Sequence, residues 1–241
     1  MKESLVVLTG AGISAESGLK TFRDSDGLWE EYDVMEVASY SGWLRNPSLV
    51  MDFYNKRRSQ LKNAQPNAAH YAIAELENKY DVHVITQNVD DLHERAGSTN
   101  VLHLHGELTK VRSVKYPELV YTIGYNDVKL GDLCEKGEQL RPHIVWFGEE
   151  VPLIERAAEI VSQASYLLII GTSMQVYPAA GLIHFKPEHC TVYIIDPKAD
   201  NTYSSNTLII KEKAGKAVPT LVKQLLTNTT YIEEDNTRKT Q

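Results

Sequence analysis

Cysteine is scarce in this chain. Two occur in 241 residues, Cys134 and Cys190, far apart and without a C-x-x-C pair. Neither a disulfide framework nor a thiolate metal site is indicated. Long apolar runs are missing as well: none approaches the roughly 18–20 residues needed to span a bilayer. Met1-Lys-Glu-Ser leads straight into Leu5–Leu8, which is too short for a signal-peptide core and has no cleavage-site pattern. A cytoplasmic protein is expected. Positive charge is in deficit, with 25 Lys and Arg against 32 Asp and Glu and a net charge of −7. This argues against non-specific nucleic-acid binding, which needs a basic footprint, and is compatible with basic protein substrates. No internal repeat is present. The hydrophobic content of 42% and charged content of 24% are those of one globular domain, or one domain with a small insert.

What is present is a recurring set of short, β-branched apolar runs: Leu5–Leu8, Val82–Ile85, Val101–Leu104, Tyr166–Ile170, Thr191–Ile195 and Thr207–Ile210. Each is nearly uniformly apolar, as expected for strands buried on both faces. Helical patterns separate several of them. Asn67 is placed to cap a helix reaching about Tyr80, and Pro152 to start one reaching Gln163. The alternation predicts an α/β fold, a Rossmann-like parallel sheet with helices on both faces. Residues 24–66, with no clear strand, and 107–142 break the rhythm and read as insertions forming a smaller module. The large part then comprises residues 1–23, 67–106 and 143–226, within one catalytic domain over 1–226. The polar residues 227–241 are expected to form a flexible tail.

Three places carry chemistry. The run Gly10-Ala11-Gly12-Ile13-Ser14-Ala15 after the first strand satisfies G-x-G-x-x-G/A and suits a pyrophosphate; a plain glycine turn explains it as well. A dehydrogenase would place an acidic residue at the end of the next strand, roughly 20 positions on. No strand is legible there, so the ribose must be held elsewhere. Asp196 is a candidate, and a simple Asp-Pro turn is the competing reading. The strand ends at Thr86-Gln87-Asn88-Val89-Asp90-Asp91 and His105-Gly106 gather amides, carboxylates and a histidine where open parallel sheets bind ligands; strand-end capping is the alternative.

Taken in order, Gly10 to Gly18 with Thr21, Phe22 and Arg23, then Thr86 to Asp90 with Leu92 and His93, then His105-Gly106, then Val145 to Glu149, then Gly171-Thr172-Ser173, the chain resembles the sirtuins over about residues 4–226. The resemblance implies an NAD-dependent protein-lysine deacylase. NAD would lie on Gly10, Ala11, Gly12, Ser14, Gly171, Thr172 and Ser173, with Thr21, Phe22 and Arg23 closing over it. Gln87, Asn88 and Asp90 would surround the nicotinamide ribose. The acyl oxygen would attack the ribose carbon as nicotinamide leaves. His105, as general base, would deprotonate a ribose hydroxyl so that it attacks the imidate. Lysine, nicotinamide and O-acyl-ADP-ribose would result. The peptide would lie as an added strand between Val145, Phe147, Gly148 and Glu149 on one side and Val176 and Tyr177 on the other. His93 and His103 are assigned structural roles, with His103 expected on the side of its strand opposite His105.

Tyr54 and Arg57, at i and i+3 of a helix beginning near Pro47, match the Tyr-x-x-Arg motif of class III sirtuins. That implies acidic acyl groups (succinyl, malonyl, glutaryl) with acetyl as a further substrate. A solvated basic face, Lys56-Arg57-Arg58, is the alternative. Most sirtuins also carry two C-x-x-C pairs for a structural zinc; residues 107–142 hold only Cys134. Zinc is therefore expected to be absent, with Tyr116, Val120, Tyr121, Ile123 and Tyr125 forming an apolar core in its place. Asp24, after Arg23, stands where the family often has Gly, and Asp196 where many relatives have Asn. Acyl-lysine proteins are the expected partners of a monomer that binds neither nucleic acid nor membrane. The competing functions are mono-ADP-ribosyl transfer and an NAD or ADP-ribose sensing module with little turnover.

Overall fold

The computed structural model describes residues 2–20, 28–29, 32–172, 174–199 and 206–227. Thr21, Phe22, Arg23 and Ser173, the sequence from Asp24 to Gly27 and the tail beyond Thr227 lie outside the described residues.

The apolar runs form the expected strands. β1 (Ser4–Thr9), β4 (Asp81–Thr86), β5 (Val101–His103), β9 (Tyr166–Ile170), β10 (Thr191–Ile195) and β11 (Thr207–Ile210) make one parallel sheet in the order β11-β10-β9-β1-β4-β5. Both faces are buried, which is why these strands lack polar alternation. Leu5, Val7, Val82, Val84, Leu168 and Ile170 face α5 (Ala68–Glu75) and α8 (Ala214–Thr227). Val6, Leu8, Ile85, Leu167 and Ile169 face α7 (Ile154–Val161) and the short 3-10 helix Ala179–Phe185. Asn67 caps α5 by accepting from the Ala69 N–H, and the His70 ring returns a bond to the Asn67 N–H. The order reverses at β1, whose neighbours are β4 and β9. A ligand cleft is expected beyond the carboxyl ends of these strands.

The second body joins helices and a small sheet. Leu28–Trp29 (β2) and Tyr32–Asp33 (β3) pair antiparallel, so residues 24–66 do contain strand, contrary to expectation; two-residue strands leave no periodic signal. They precede α2 (Val34–Val37), α3 (Tyr40–Arg45) and α4 (Pro47–Asn63), the last capped by Asn46 with Pro47 in its first turn. α6 (Leu92–Ala96) follows β4. β6 (Gly106–Ser113), β7 (Val120–Thr122) and β8 (Leu140–Ile144) form an antiparallel sheet in the order β7-β6-β8.

This sheet and α4 share a core of Val50, Met51, Phe53, Tyr54, Leu108, Val111, Val128, Ile144 and Trp146. Tyr121, Ile123 and Tyr125 pack on it as expected. Tyr116 and Val120 do not. Val120 is 39% exposed because it alternates outward on the edge strand β7, and the Tyr116 ring lies under Lys136, 4.1 Å away. Polar clamps tie α4 to the sheet. Asn55 Nδ2 donates to the Val128 carbonyl at 3.0 Å and its Oδ1 accepts from the Val128 N–H at 3.1 Å. The fully buried Arg58 bonds the Leu108 carbonyl and Asn55. Among the described residues no helix is long and apolar enough to cross a membrane.

Candidate active site

One cavity of about 730 Å³ opens at the carboxyl ends of β1, β4, β9 and β10 and runs across to α4 and the segment after β8. The described residues that the sequence assigns to catalysis, cofactor or substrate all line it. Gly10, Ala11, Gly12 and Ser14 come from the β1 turn, Gln87, Asn88 and Asp90 from the β4 turn, and His105 from the β5 turn. Gly171 and Thr172 follow β9, Val176 and Tyr177 sit beyond them, and Asp196 ends β10. Tyr54 and Arg57 reach in from α4, and Val145, Phe147, Gly148 and Glu149 from the β8 loop.

Gly10 and Gly12 are needed for close approach between two loops. The Gly12 N–H donates to the Gly171 carbonyl at 2.9 Å, and a Cβ on Gly12 would lie 2.7 Å from Gly171 Cα. A Cβ on Gly10 would meet Thr172 Cβ at 2.7 Å. The β1 and β9 turns are thereby pressed together beside the cavity.

The β4 turn is wired onto the β1 turn. Asn88 Nδ2 donates to the Gly10 carbonyl and to Ser14 Oγ, each at 3.1 Å. Ser14 Oγ in turn donates to Asp90 Oδ2 at 2.9 Å. Burial raises the Asp90 carboxyl from its ordinary value, partly offset by Ser14 and the Leu92 N–H. Gln87 Nε2 donates to Thr172 Oγ1 at 3.1 Å.

His105 Nδ1 lies 3.0 Å from the Gln87 carbonyl. A carbonyl only accepts, so Nδ1 carries the proton and Nε2 is left with a lone pair. Burial lowers the His105 pKa, with the Gln87 carbonyl opposing. The ring is therefore neutral, and able to take a proton, at neutral pH. His103 reaches the β4 turn as well. Its Nδ1 is 3.0 Å from the carbonyl of Asn88, the residue after Gln87, so both rings engage the same turn. Alternation puts positions two apart on one face of a strand, but β5 ends at His103, and of the two rings only that of His105 lines the cavity. His93 is buried, bonded to Thr9 and packed against His70.

At the other end, Tyr54 is 1% and Arg57 8% exposed, and Arg58 is fully buried. A solvated basic face is thus excluded. The Tyr54 hydroxyl accepts from Trp146 Nε1 at 2.9 Å. Its pKa is raised by burial, so it is a neutral donor. Sequence reading passed over Trp146 although it sits inside Val145–Glu149; only its contact with α4, 92 positions away, shows what it does. The Trp146 ring carries Arg141 on its face, 3.5 Å from the centroid. Arg141 is bidentate to Glu149, at 2.6 and 2.9 Å. Glu149 also accepts from Arg112 and the Trp146 N–H. Its carboxylate is taken up by β6, β8 and its own loop, and these bonds hold its pKa below the ordinary value although burial raises it.

The Phe147 N–H donates to the Ala38 carbonyl, and the Phe147 carbonyl accepts from the Tyr40 N–H. Its main chain is already part of a pairing with the α2–α3 linker, while its side chain is exposed. Asp196 Oδ1 accepts from the Lys198 N–H at 2.8 Å. The turn reading is realised there, and the residue lines the cavity all the same. Cys134 Sγ donates to Ser113 Oγ at 3.5 Å, and among the described residues no three His, Cys, Asp or Glu side chains cluster as a metal site.

The profile of the Sir2 family matches residues 10–178. An NAD-dependent protein deacylase of Helicobacter pylori is 58% identical over 225 residues, covering 93% of this chain and 98% of that protein. A protein of the same name from Bacteroides thetaiotaomicron is 52% identical, again covering 93% and 98%. The fold matches a crystal structure of a Sir2 homolog–NAD complex with a TM-score of 0.84 and 39% identity, covering 95% of this chain and 91% of the other. A Sir2 homologue complexed with 2′-O-acetyl-ADP-ribose matches at a TM-score of 0.84 and 38% identity, over 95% and 94%.

Proposed function

The chain belongs to the Sir2 family and is an NAD-dependent protein deacylase, and we propose that the acyl groups it removes best carry a carboxylate, succinyl and malonyl ahead of acetyl. The observation that carries this reading is the pair Tyr54 and Arg57, both buried and both lining the cavity that also contains His105. A neutral hydroxyl donor beside a guanidinium suits a carboxylate, because Arg donates charge-assisted bonds in a fixed fork. A hydrogen bond to a charged group contributes about 1.5–3 kcal/mol, or roughly ten- to a hundredfold in selectivity.

NAD, as co-substrate, supplies the activated ribose carbon that accepts the acyl oxygen. The donors and acceptors of the β1, β4 and β9 turns fit a dinucleotide: Gly10, Ala11, Gly12, Ser14, Gly171 and Thr172 for its phosphates, and Gln87, Asn88 and Asp90 for the nicotinamide ribose. Thr21, Phe22, Arg23 and Ser173 complete this set in our reading, and Asp196 takes the adenosine ribose. His105 acts as general base through Nε2, supported by the Nδ1 bond to Gln87 that orients the ring. The acyl-lysine peptide pairs with Val145 and Gly148, and with Val176 and Tyr177 opposite. Phe147 contributes its exposed side chain rather than its main chain.

The small module is read as zinc-free, supported by its single cysteine and by the Asn55 and Arg58 clamps. The short apolar runs and the net charge of −7 support a cytoplasmic monomer without nucleic-acid or membrane partners.

The test is a panel of acetyl-, succinyl- and malonyl-lysine peptides with NAD, following O-acyl-ADP-ribose by mass spectrometry. Succinyl turnover is expected to exceed acetyl turnover in kcat/KM, and Arg57→Met to reverse the order. Equal ratios in the two proteins would sink the acyl assignment. ADP-ribose attached to protein in place of O-acyl-ADP-ribose would favour transferase chemistry.

A further inference from the structure

His103 is 8% exposed and both of its ring nitrogens face oxygen acceptors. Nδ1 is 3.0 Å from the Asn88 carbonyl, and Nε2 is 2.7 Å from Glu94 Oε1 on α6. A neutral imidazole has one N–H and can satisfy only one of them; the other contact would set lone pair against lone pair. A proton on Glu94 would resolve the conflict differently. However, the Glu94 side chain is 40% exposed, and burial there is outweighed by the His103 bond, so its carboxyl stays below the ordinary range. The doubly protonated ring is the arrangement that satisfies every atom.

The Asn88 carbonyl belongs to the turn whose side chains form the proposed ribose site. Asn88 reaches Gly10 and Ser14, and Asp90 reaches Ser14. We propose that His103 is a positioning residue for the reaction: as an imidazolium clamped between Glu94 and the Asn88 carbonyl, it holds the β4 turn in place beneath the ribose. The inference rests on the reading of Asn88, Asp90 and His105 given above. Two histidines two positions apart then work in opposite charge states, His105 neutral and His103 charged. Loss of the His103 proton removes one anchor of the turn.

The charged groups around His103 favour this state. Burial opposes the charge, but Glu94, the Asn88 carbonyl and Glu107 on β6 outweigh it and raise the pKa above its ordinary value. Asp90 lies within electrostatic reach on the turn itself. His93 on α6 stays neutral, since burial first and then the neighbouring His70 and His103 lower its pKa well below the ordinary value. Lys110 acts on Glu94 and is itself paired with Glu107 at 2.7 Å.

The experiment is the pH profile of NAD-dependent nicotinamide release with an acyl-lysine peptide, for the wild type, Glu94→Gln and His103→Gln. Glu94→Gln keeps an acceptor at Nε2 and removes only the charge. The wild type is expected to lose activity on an alkaline limb. Glu94→Gln is expected to move that limb down by about one pH unit or more while leaving the acid limb in place. His103→Gln is expected to lower the plateau by about tenfold or more and raise KM for NAD. In 15N-histidine-labelled wild type near neutral pH, both His103 nitrogens are expected to give the imidazolium signature. An alkaline limb at the same pH in wild type and Glu94→Gln, or a neutral His103 ring, overturns the inference. Full turnover in His105→Ala is a separate result that overturns the reading beneath it.

Discussion

The indole N–H of Trp146 donates to the Tyr54 hydroxyl at 2.9 Å, joining the β8 loop to α4 at the end of the cavity where an acyl chain would terminate. Because the tyrosine oxygen accepts there, its own proton is free to point at a ligand. Trp146 is itself fixed by Arg141, and Arg141 by Glu149. Trp146→Phe removes the donor and keeps a ring for Arg141. It is expected to lower kcat/KM for succinyl-lysine peptide several-fold, about 1 kcal/mol, and to change acetyl-lysine turnover less. Steady-state kinetics on both peptides checks this; an equal loss on both would assign Trp146 to the fold alone.

His105 sets an acid limb. Its pKa is lowered by burial, and the base works only when neutral. Activity should therefore persist as pH falls through the ordinary imidazole value and decline only below about 6.5. The kcat/KM profile for the acyl peptide locates the midpoint. His105→Ala is expected to abolish O-acyl-ADP-ribose formation.

His70 makes stability depend on pH. Burial lowers its pKa to about 4 in the folded chain, so the unfolded chain binds protons more readily. Stability is complete above the unfolded value of about 6.5 and is lost as pH falls from there towards 4, by up to about 3 kcal/mol. Urea midpoints measured across this window should fall steadily. His70→Gln, which can still accept from the Asn67 N–H, should flatten the dependence.

Asn55 and Val128 exchange two bonds at 3.0 and 3.1 Å, and Asn55 also accepts from Arg58. Asn55→Ala leaves the Val128 N–H and carbonyl and the buried Arg58 short of partners, and should cost about 1–3 kcal/mol. Thermal unfolding measures it. The same assay with EDTA should show no shift, and metal analysis of the purified protein no stoichiometric zinc; either result reversed would restore a metal to the small module.

Much was legible from local pattern. The six apolar runs became the six strands of the main sheet, since burial on both faces removes polar alternation and leaves a readable signature. Asn67 was legible as a helix cap because capping is settled within three residues. The two-residue strands β2 and β3 were not, having no period to read. Val120 and Tyr116 were expected in a core from their apolar character, but pleat and edge position decide which side a residue takes, and those follow from pairing.

The residues of the β1, β4 and β5 turns, and the chemistry their types allow, were determined by sequence, because strand ends in a parallel sheet converge on one edge. Whether Arg57 and Arg58 face solvent or core was decided only by tertiary structure, as were the charge state of His103 and the use of Glu149. Each depends on partners brought together across the chain: Val128 with Asn55 over 73 positions, Trp146 with Tyr54 over 92. Protonation and burial are properties of such neighbourhoods, set by which acceptors, charges and apolar walls surround a group after folding, and no local spacing encodes them.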